Sequence, residues 1–372
     1  MKSVLIEFLS TDTKTLIFVI RQDWKEKNIC DKEPLVFEAD FKETDVIECV
    51  KEIRELYAEW SQKEYTDEYL KNINLEKRTS FYDIGNKIFS SELMQSIKGY
   101  DLIYFVPFSA LHHLPLHAMR YNGIDIVDNF AFSYLPSASV LQFTNKNIER
   151  CKNYSIKTVG VDFKRGWRAF ATEVLQIKKE PYWHKKAYFK KEEATRKNFF
   201  ANNDEYNILH CSAHGYFATE PLESGIVLHI PKHLELKKGE ELEVKLTENP
   251  ELQQSVITVN DLIKELNSEF ELIFFSACVS GENKNEAGDE LIGLSRGLFY
   301  AGTKSMILSL YNTFKNVTVD NEVPIKNFYK YWIEEQEPKA IAFQRYIKEV
   351  KAKERFRHPF YWFAYILIGN PY

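Results

Sequence analysis

Short apolar runs alternate with amphipathic stretches from the N-terminus of the chain. Runs at 4–9 and 15–20 predict paired strands. From Thr44, apolar residues recur at helical spacing and predict a helix: Val46, Val50, Ile53, Tyr57, Trp60. Further patterns predict a helix at 81–97, strands at 101–107 and 130–135, and a helix at 136–143. Residues 1–150 are therefore predicted to form a small α/β subdomain.

A polar stretch at 145–153 precedes a more regular alternation. Strands are predicted at 156–161, 187–189, 206–211, 225–229, 272–276 and 305–310, and helices at 170–178, 194–202, 260–266 and 289–300. The chain closes with helical patterns at 324–333 and 338–350 and an apolar strand at 362–368. Such alternation is typical of an α/β fold with a mostly parallel sheet and flanking helices, predicted here for a second domain at 151–372.

Two of these apolar runs lead into reactive side chains followed by glycine. The first reads Leu-His-Cys-Ser-Ala-His214-Gly215, and the second reads Phe-Phe-Ser-Ala-Cys278-Val-Ser-Gly. Open α/β sheets carry their chemistry at the carboxyl ends of the strands, so an imidazole and a thiol are expected at one edge. This arrangement suggests a cysteine nucleophile with a histidine base.

The proposed chemistry makes definite demands on these residues. A thiol with a pKa of about 8.5 is only a few per cent ionised at neutral pH, so Cys278 needs a base such as His214. The imidazole can later return a proton to a leaving amine. The backbone N–H groups of Gly215 and Cys278 are candidates for holding the oxyanion of the tetrahedral intermediate.

His210 and Cys211 lie in the same strand as His214 and need separate interpretation. Cys211 is three residues before His214 and therefore on the opposite face, where packing is its expected role. His210 has the same parity as His214 and could approach the site.

Composition argues against several classes of protein but indicates no specific function. The chain has 372 residues, of which 44% are hydrophobic, which is enough for a compact folded protein. Its 54 acidic and 49 basic residues are mixed along the chain, so no nucleic-acid partner is expected. Glu7 and Asp12 interrupt the apolar start, which argues against a secretory signal, and apolar runs such as 103–111 are too short to span a membrane. A cytoplasmic protein is predicted.

Cysteine and histidine usage gives no sign of a metal or another cofactor. The five cysteines are scattered and lack the spacing of a zinc site, so reduced thiols are expected. His112, His113 and His117 cluster in an apolar segment without a carboxylate or thiol at ligand spacing. Structural histidines are therefore expected there, and a zinc-binding regulatory protein is a hypothesis that metal analysis would test.

Many ordered motifs resemble the CHAT proteases, which are relatives of caspases and separases. The matching segments are the opening strand pair, 102–116, 133–139, Ala213-His214-Gly215, Ser276-Ala277-Cys278, 288–302, 358–362 and 368–371. The resemblance implies a pseudo-caspase-like subdomain at 1–150 and a caspase-like catalytic domain at 151–372. It also implies a cysteine endopeptidase that cleaves a protein substrate and acts in prokaryotic defence, including antiviral defence, or in programmed cell death.

The chain departs from the usual pattern of these proteases near the expected cleft. Glycine follows Cys278 at the third position rather than the second, and the late strand continues as Ser309-Leu310-Tyr311-Asn312-Thr313-Phe314. Residues 229–251 suggest an inserted hairpin, interpreted as a solvated turn or as a partner-binding or substrate-guiding element. The family resemblance implies a regulated enzyme, and because no repeat array is evident, its activation is expected to come from a separate protein, self-association or self-cleavage. The hypothesis is a latent enzyme, with order changing at 281–288.

Three acidic residues are candidates for selecting the substrate. Asp162, Glu282 and Asp289 could receive a basic substrate residue, although Asp162 is equally suited to a cap or ion pair and Asp289 to capping its helix. An alternative function is a catalytically silent scaffold that binds a peptide or protein partner through the same cleft.

Overall fold

The architecture is described from a computed structural model of residues 1–372. The structure describes residues 1–23, 28–29, 33–62, 67–144, 151, 153–162, 169–216, 220–231, 234, 249–266, 269–278, 289–311, 315–320 and 322–372. Contacts divide the chain into two compact units. The first unit comprises Met1–Phe143 and Pro338–Pro371, and the second comprises Thr144–Glu337 with Tyr372.

The first part of the chain contributes strands and helices to the first unit. Its strands are β1 (Lys2–Ser10), β2 (Thr15–Asp23), β3 (Asn28–Ile29), β4 (Leu35–Ala39), β5 (Leu102–Val106), β6 (Arg120–Tyr121), β7 (Ile124–Asp125) and β8 (Ala131–Tyr134). Its helices are α1 (Glu43–Gln62), α2 (Asp67–Asn72), α3 (Leu75–Arg78), α4 (Phe81–Ile88), α5 (Ser91–Ser96), α6 (Ile126–Asn129) and α7 (Leu141–Thr144).

The second unit alternates strands with helices. Its strands are β9 (Ser155–Gly160), β10 (Lys185–Lys190), β11 (Ile208–Tyr216), β12 (Gly225–Val227), β13 (Val256–Thr258), β14 (Leu272–Cys278) and β15 (Ser305–Ser309). Its helices are α8 (Ala169–Lys179), α9 (Arg196–Phe200), α10 (Pro250–Gln253), α11 (Val259–Glu265), α12 (Asp289–Tyr300), α13 (Lys315–Thr318) and α14 (Lys326–Tyr329), which continues as a π-helical turn over Lys330–Glu334. The chain then returns to the first unit with α15 (Lys339–Ala352) and β16 (Tyr365–Gly369).

The sheet of the first unit has the order β16, β8, β5, β1, β2, with β3 and β4 both paired to β2. Parallel pairs join β1 to β5, β5 to β8 and β8 to β16, while β2 is antiparallel to β1. Every residue of β5, β8 and β16 is buried, as expected for parallel strands that are covered on both faces.

The sheet of the second unit has the order β10, β9, β11, β14, β15, and all of these strands are parallel. The short strand β12 adds to β11 in the antiparallel sense, and β13 pairs with β12. Helix α8 packs against β9, β10 and β11. The predicted α/β class with a mostly parallel sheet and flanking helices is confirmed.

Three local differences from the predicted elements have physical reasons. The helix predicted at 81–97 is divided into α4 and α5, because Ser90 Oγ accepts a hydrogen bond from Leu93 N at 3.2 Å and so caps the second helix. Strand β11 extends beyond 211 through Tyr216, since β12 pairs with it where β9 ends. The hairpin predicted at 229–251 lies largely outside the described residues.

The last segment of the chain belongs by its contacts to the first unit. Strand β16 pairs with β8 at Ile368 and Tyr134, and Ser133 Oγ donates a hydrogen bond to the carbonyl oxygen of Gly369 at 2.7 Å. Helix α15 also packs on β8. The predicted division into 1–150 and 151–372 places this segment in the second domain, and that division remains a prediction. Within the described residues, no helix combines the length and apolar character needed to cross a membrane.

Candidate active site

His214 lies near the carboxyl end of β11, between β14 on one side and β12 on the other. Its side chain is partly exposed, and its ring meets the ring of Phe170 edge to face, with centroids 4.8 Å apart. Phe170 lies in the first turn of α8. The sheet and this helix therefore hold an imidazole at the edge of the sheet without burying it completely.

Cys278 is the last residue of β14 and pairs with His214 in the parallel register of the two strands. Neighbouring strands are about 4.8 Å apart, so the two backbones approach closely at this position. The pairing begins at Ile208 and Leu272 and continues without interruption to His214 and Cys278. The fold thus brings the two sequence-predicted reactive residues to one level of one sheet edge.

Gly215 follows His214 in β11 and pairs with Ile226 of β12. It is buried, and as a glycine it has no side chain that would cover its backbone. The backbone N–H of Gly215, a candidate oxyanion donor, therefore lies one residue after the position where His214 pairs with Cys278.

His210 is fully buried and lies in a network of polar side chains. Its Nε2 is 2.9 Å from Glu173 Oε1, and its Nδ1 is 2.8 Å from the hydroxyl of Tyr329. The pKa of Tyr329 is raised well above its usual value by burial, with smaller contributions from Tyr182 and Glu173, so this phenol stays protonated and can donate. In the neutral tautomer with its proton on Nε2, His210 accepts this hydrogen bond at Nδ1 and donates from Nε2–H to Glu173 Oε1.

Glu173 connects this network to a second element and lies outside the sequence motifs of the candidate site. The carboxylate is fully buried and also accepts a hydrogen bond from Thr318 Oγ1. Glu173 lies on the buried face of α8 together with Phe170, Val174 and Ile177. An acidic residue on an otherwise apolar helix face is the signal in the sequence that could have indicated it.

Cys211 is fully buried, in keeping with its expected packing role. The opposite parity of Cys211 and His214 along β11 places the two residues on different faces of the sheet.

Asp162 follows β9 and caps the N-terminus of α8. Its Oδ1 accepts a hydrogen bond from Phe170 N at 3.0 Å, and its Oδ2 accepts one from Ala171 N at 3.2 Å. These N–H groups belong to the first turn of the helix, which has no carbonyl partners for them within the helix. Among the other acidic candidates, Asp289 begins α12, and Glu282 lies outside the described residues.

The geometry of Asp162 leads to a prediction that separates capping from substrate selection. The Asp162→Ala variant is expected to lower the free energy of unfolding by about 1 kcal/mol, a typical loss for a helix cap. Asp162→Asn retains one acceptor and should lose less. Urea denaturation measures both losses of unfolding free energy. In a peptide-cleavage assay, Asp162→Asn and the wild type should prefer the same residue before the scissile bond. A loss of preference for basic residues would instead assign Asp162 to the substrate pocket.

The histidine cluster 112–117 lies in the first unit. His117 is 0% exposed, its ring stacks on Phe132 with centroids 4.1 Å apart, and its Nδ1 is 3.1 Å from the hydroxyl of Tyr134. Burial lowers the pKa of His117 to about 3. Across the described part of the chain, no three histidine, cysteine, aspartate or glutamate side chains are grouped as metal ligands.

Comparison with known proteins decides the family. Residues 83–370 match the model of the CHAT domain. The chain belongs to the CHAT domain family. The match includes His214 and Cys278, whereas the opening strands β1 and β2 precede it.

The CHAT chain is also similar in fold to solved structures of separase from Saccharomyces cerevisiae. Two structures of the separase–securin complex, at 2.6 and 3.0 Å resolution, match with TM-scores of 0.57 and 0.56 at 10% and 9% sequence identity. Both matches cover 100% of this chain and 30% of the separase chain. They show a shared caspase-like α/β fold, and in both structures separase is bound to securin. No curated protein matches the CHAT chain in sequence.

Proposed function

We propose that this CHAT protein is a cysteine endopeptidase in which Cys278 is the nucleophile and His214 is the general base and acid. The observation that carries the proposal is the parallel register of β11 and β14, which pairs these two residues at the carboxyl edge of the sheet. Residues in register on adjacent parallel strands share a face of the sheet, so an imidazole and a thiol can cooperate there. Family membership and the separase-like fold also support this activity.

The first half of the proposed reaction forms an acyl-enzyme. His214 takes the proton of the Cys278 thiol, and the sulfur attacks the carbonyl carbon of the scissile peptide bond. A carbon–sulfur bond forms, and the carbonyl π electrons move onto oxygen. The backbone N–H groups of Gly215 and Cys278 are proposed to stabilise that oxyanion. As the oxyanion collapses, the carbon–nitrogen bond breaks and protonated His214 gives its proton to the departing amine.

The second half of the reaction restores the enzyme. His214 takes a proton from water, whose oxygen attacks the thioester carbon. The carbon–sulfur bond then breaks, the new carboxyl product leaves, and the proton held by His214 returns to the sulfur. No cofactor is required, because the two side chains and water account for every proton and bond.

The proposed physiological role is that of a latent effector in prokaryotic defence or programmed cell death, switched on by a regulatory protein or by self-processing. The family resemblance suggests this role, and the binding of separase to securin illustrates a protein partner on a related fold. A reactive Cys278 needs a reducing compartment, which favours the cytoplasm. Glu282 and Asp289 stay in the proposal as acidic groups that could receive a basic substrate residue.

The experiment that tests the activity compares wild type with Cys278→Ala on candidate protein substrates, with and without candidate activating proteins. New protein termini are mapped by mass spectrometry. Termini that appear only with the wild type are expected. A matched control is Cys211→Ala, which removes a buried thiol from the strand paired with β14 and should retain cleavage.

The other outcomes have distinct meanings. Termini produced equally by wild type and Cys278→Ala would overturn the nucleophile assignment. Binding of a partner without cleavage under any condition would favour the catalytically silent scaffold. A purified chain that alone reaches the partner-stimulated rate would contradict latency.

A further inference from the structure

We propose that Glu173 is a positioning residue that connects the strand carrying His214 to segment 315–320. The proposal rests on the peptidase function given above and adds to it a residue that contacts neither sulfur nor substrate. The two links are the hydrogen bonds of the Glu173 carboxylate to His210 and to Thr318. His210 lies in β11, four residues before His214, and Thr318 ends α13.

Three side chains on one face of α8 contact β11, segment 315–320 or both. Phe170 contacts the ring of His214, Glu173 bonds His210 and Thr318, and Gln176 Nε2 donates to the carbonyl oxygen of Val319 at 3.2 Å. Positions three residues apart lie on one helix face, so a single face meets both the strand and the segment. Segment 315–320 is therefore held to α8 by two successive contacts, at Thr318 and Val319.

Strand register locates this segment relative to Cys278. Strands β14 and β15 pair at Phe274 and Ile307. If that register is continued to Cys278, the position opposite it is Tyr311, just beyond the end of β15. The segment 315–320 consequently begins shortly after the chain passes the level of the candidate nucleophile.

The polar side chains of this network lie in the buried interior, where apolar side chains would carry no desolvation cost. Glu173 and His210 are both 0% exposed, and Thr318 is 1% exposed. A buried carboxylate is costly unless its oxygens are bonded, and here one oxygen accepts from His210 and the other from Thr318. A group of this kind holds its two partners at one separation, because movement of either partner leaves a buried carboxyl oxygen without its hydrogen bond.

Two hydroxyl groups of the same network allow a matched test. Thr318 contributes a hydroxyl on the side of the segment, and Tyr329 contributes one on the far side of His210. Thr318→Val removes the first with almost no change in shape, and Tyr329→Phe removes the second. Both substitutions delete one buried hydrogen bond, but only the first cuts the connection between the segment and α8 through Glu173.

The measurement is the separate determination of kcat and KM with a cleaved peptide from the identified substrate, using the full chain and any activator it requires. Thr318→Val is expected to raise KM roughly five- to tenfold, the scale of one buried hydrogen bond, and to lower kcat as well, because it loosens both segment 315–320 and the strand that carries His214. Thr318→Ser keeps a hydroxyl and should restore the wild-type KM. Tyr329→Phe should lower kcat and leave KM unchanged, because it loosens the strand that carries His214 but not segment 315–320. Equal KM shifts for Thr318→Val and Tyr329→Phe, or no shift in either, would overturn the proposal.

Hydrogen exchange tests the same coupling without turnover. In Thr318→Val, peptides covering 315–320 and 208–216 should both exchange at least about threefold faster, since a broken network loosens both of its ends. In Tyr329→Phe, only 208–216 should respond. Faster exchange confined to 315–320 in Thr318→Val would refute the connection through Glu173. If the wild type proves inactive while exchange is coupled as expected, the peptidase function fails and the structural connection stands.

Discussion

Alanine at either Cys278 or His214 is expected to lower kcat/KM for peptide cleavage by about 10²-fold to 10⁴-fold or more. Loss of Cys278 removes the atom that forms the acyl-enzyme, so the covalent route is closed. Loss of His214 removes the group that ionises the thiol and protonates the departing amine, a contribution of about 10²-fold to 10⁴-fold. The measurement is steady-state cleavage of a fluorogenic peptide derived from the mapped substrate site.

The double variant shows whether the two residues act as a unit. Residues that serve one chemical step give strongly non-additive losses, so the Cys278→Ala/His214→Ala variant should be no slower than the slower single variant. Cys211→Ala is the control for loss of a thiol, and it should keep kcat/KM within about twofold. A double variant whose loss equals the product of the two single losses would mean that His214 assists a different step from the one begun by Cys278.

Local sequence pattern was sufficient to predict most of the parallel sheet and the position of this pair. Apolar runs mark β5, β9, β14 and β16 because strands covered on both faces need apolar side chains on both. The meeting of His214 and Cys278 could be anticipated because parallel strands align their carboxyl ends. In the same way, the parity along β11 separated Cys211 from His214.

Features that depend on distant strand pairing or on a single polar side chain were not accessible from the pattern of apolar residues. The return of residues 338–371 to the first unit depends on pairing between β16 and β8, whose partners are far apart in sequence. The division between α4 and α5 depends on one serine cap within an apolar run that continues through it. Glu173 was missed because the helix was predicted from its apolar positions alone, although an acidic residue on that apolar face was visible in the sequence.

Acidification from pH 7 to pH 5 is expected to destabilise the first unit by several kcal/mol. Burial lowers the pKa of His117 to about 3 and that of His358 to about 4. The pKa of His113 is lowered to about 3 by burial together with the positive charges of Arg54 and His112. Each folded pKa is below the unfolded value of about 6.5, so the unfolded chain takes up protons first and stability falls with pH below about 6.5. At pH 5 the loss is about 2 kcal/mol for fully buried His117 and somewhat less for the two partly exposed histidines.

His117 offers the variant that isolates this effect. His117→Gln removes the titrating ring and the stacking on Phe132, so it should lower stability at pH 7 but reduce the additional loss at pH 5 by about 2 kcal/mol. Urea denaturation at both pH values, followed by the fluorescence of the tryptophans, gives the four free energies needed. Most carboxylates are still ionised at pH 5, so histidine protonation dominates the difference. An equal loss on acidification in the variant and the wild type would mean that His117 is protonated in the folded protein, and the space between Phe132 and Tyr134 would then have to accommodate a charge.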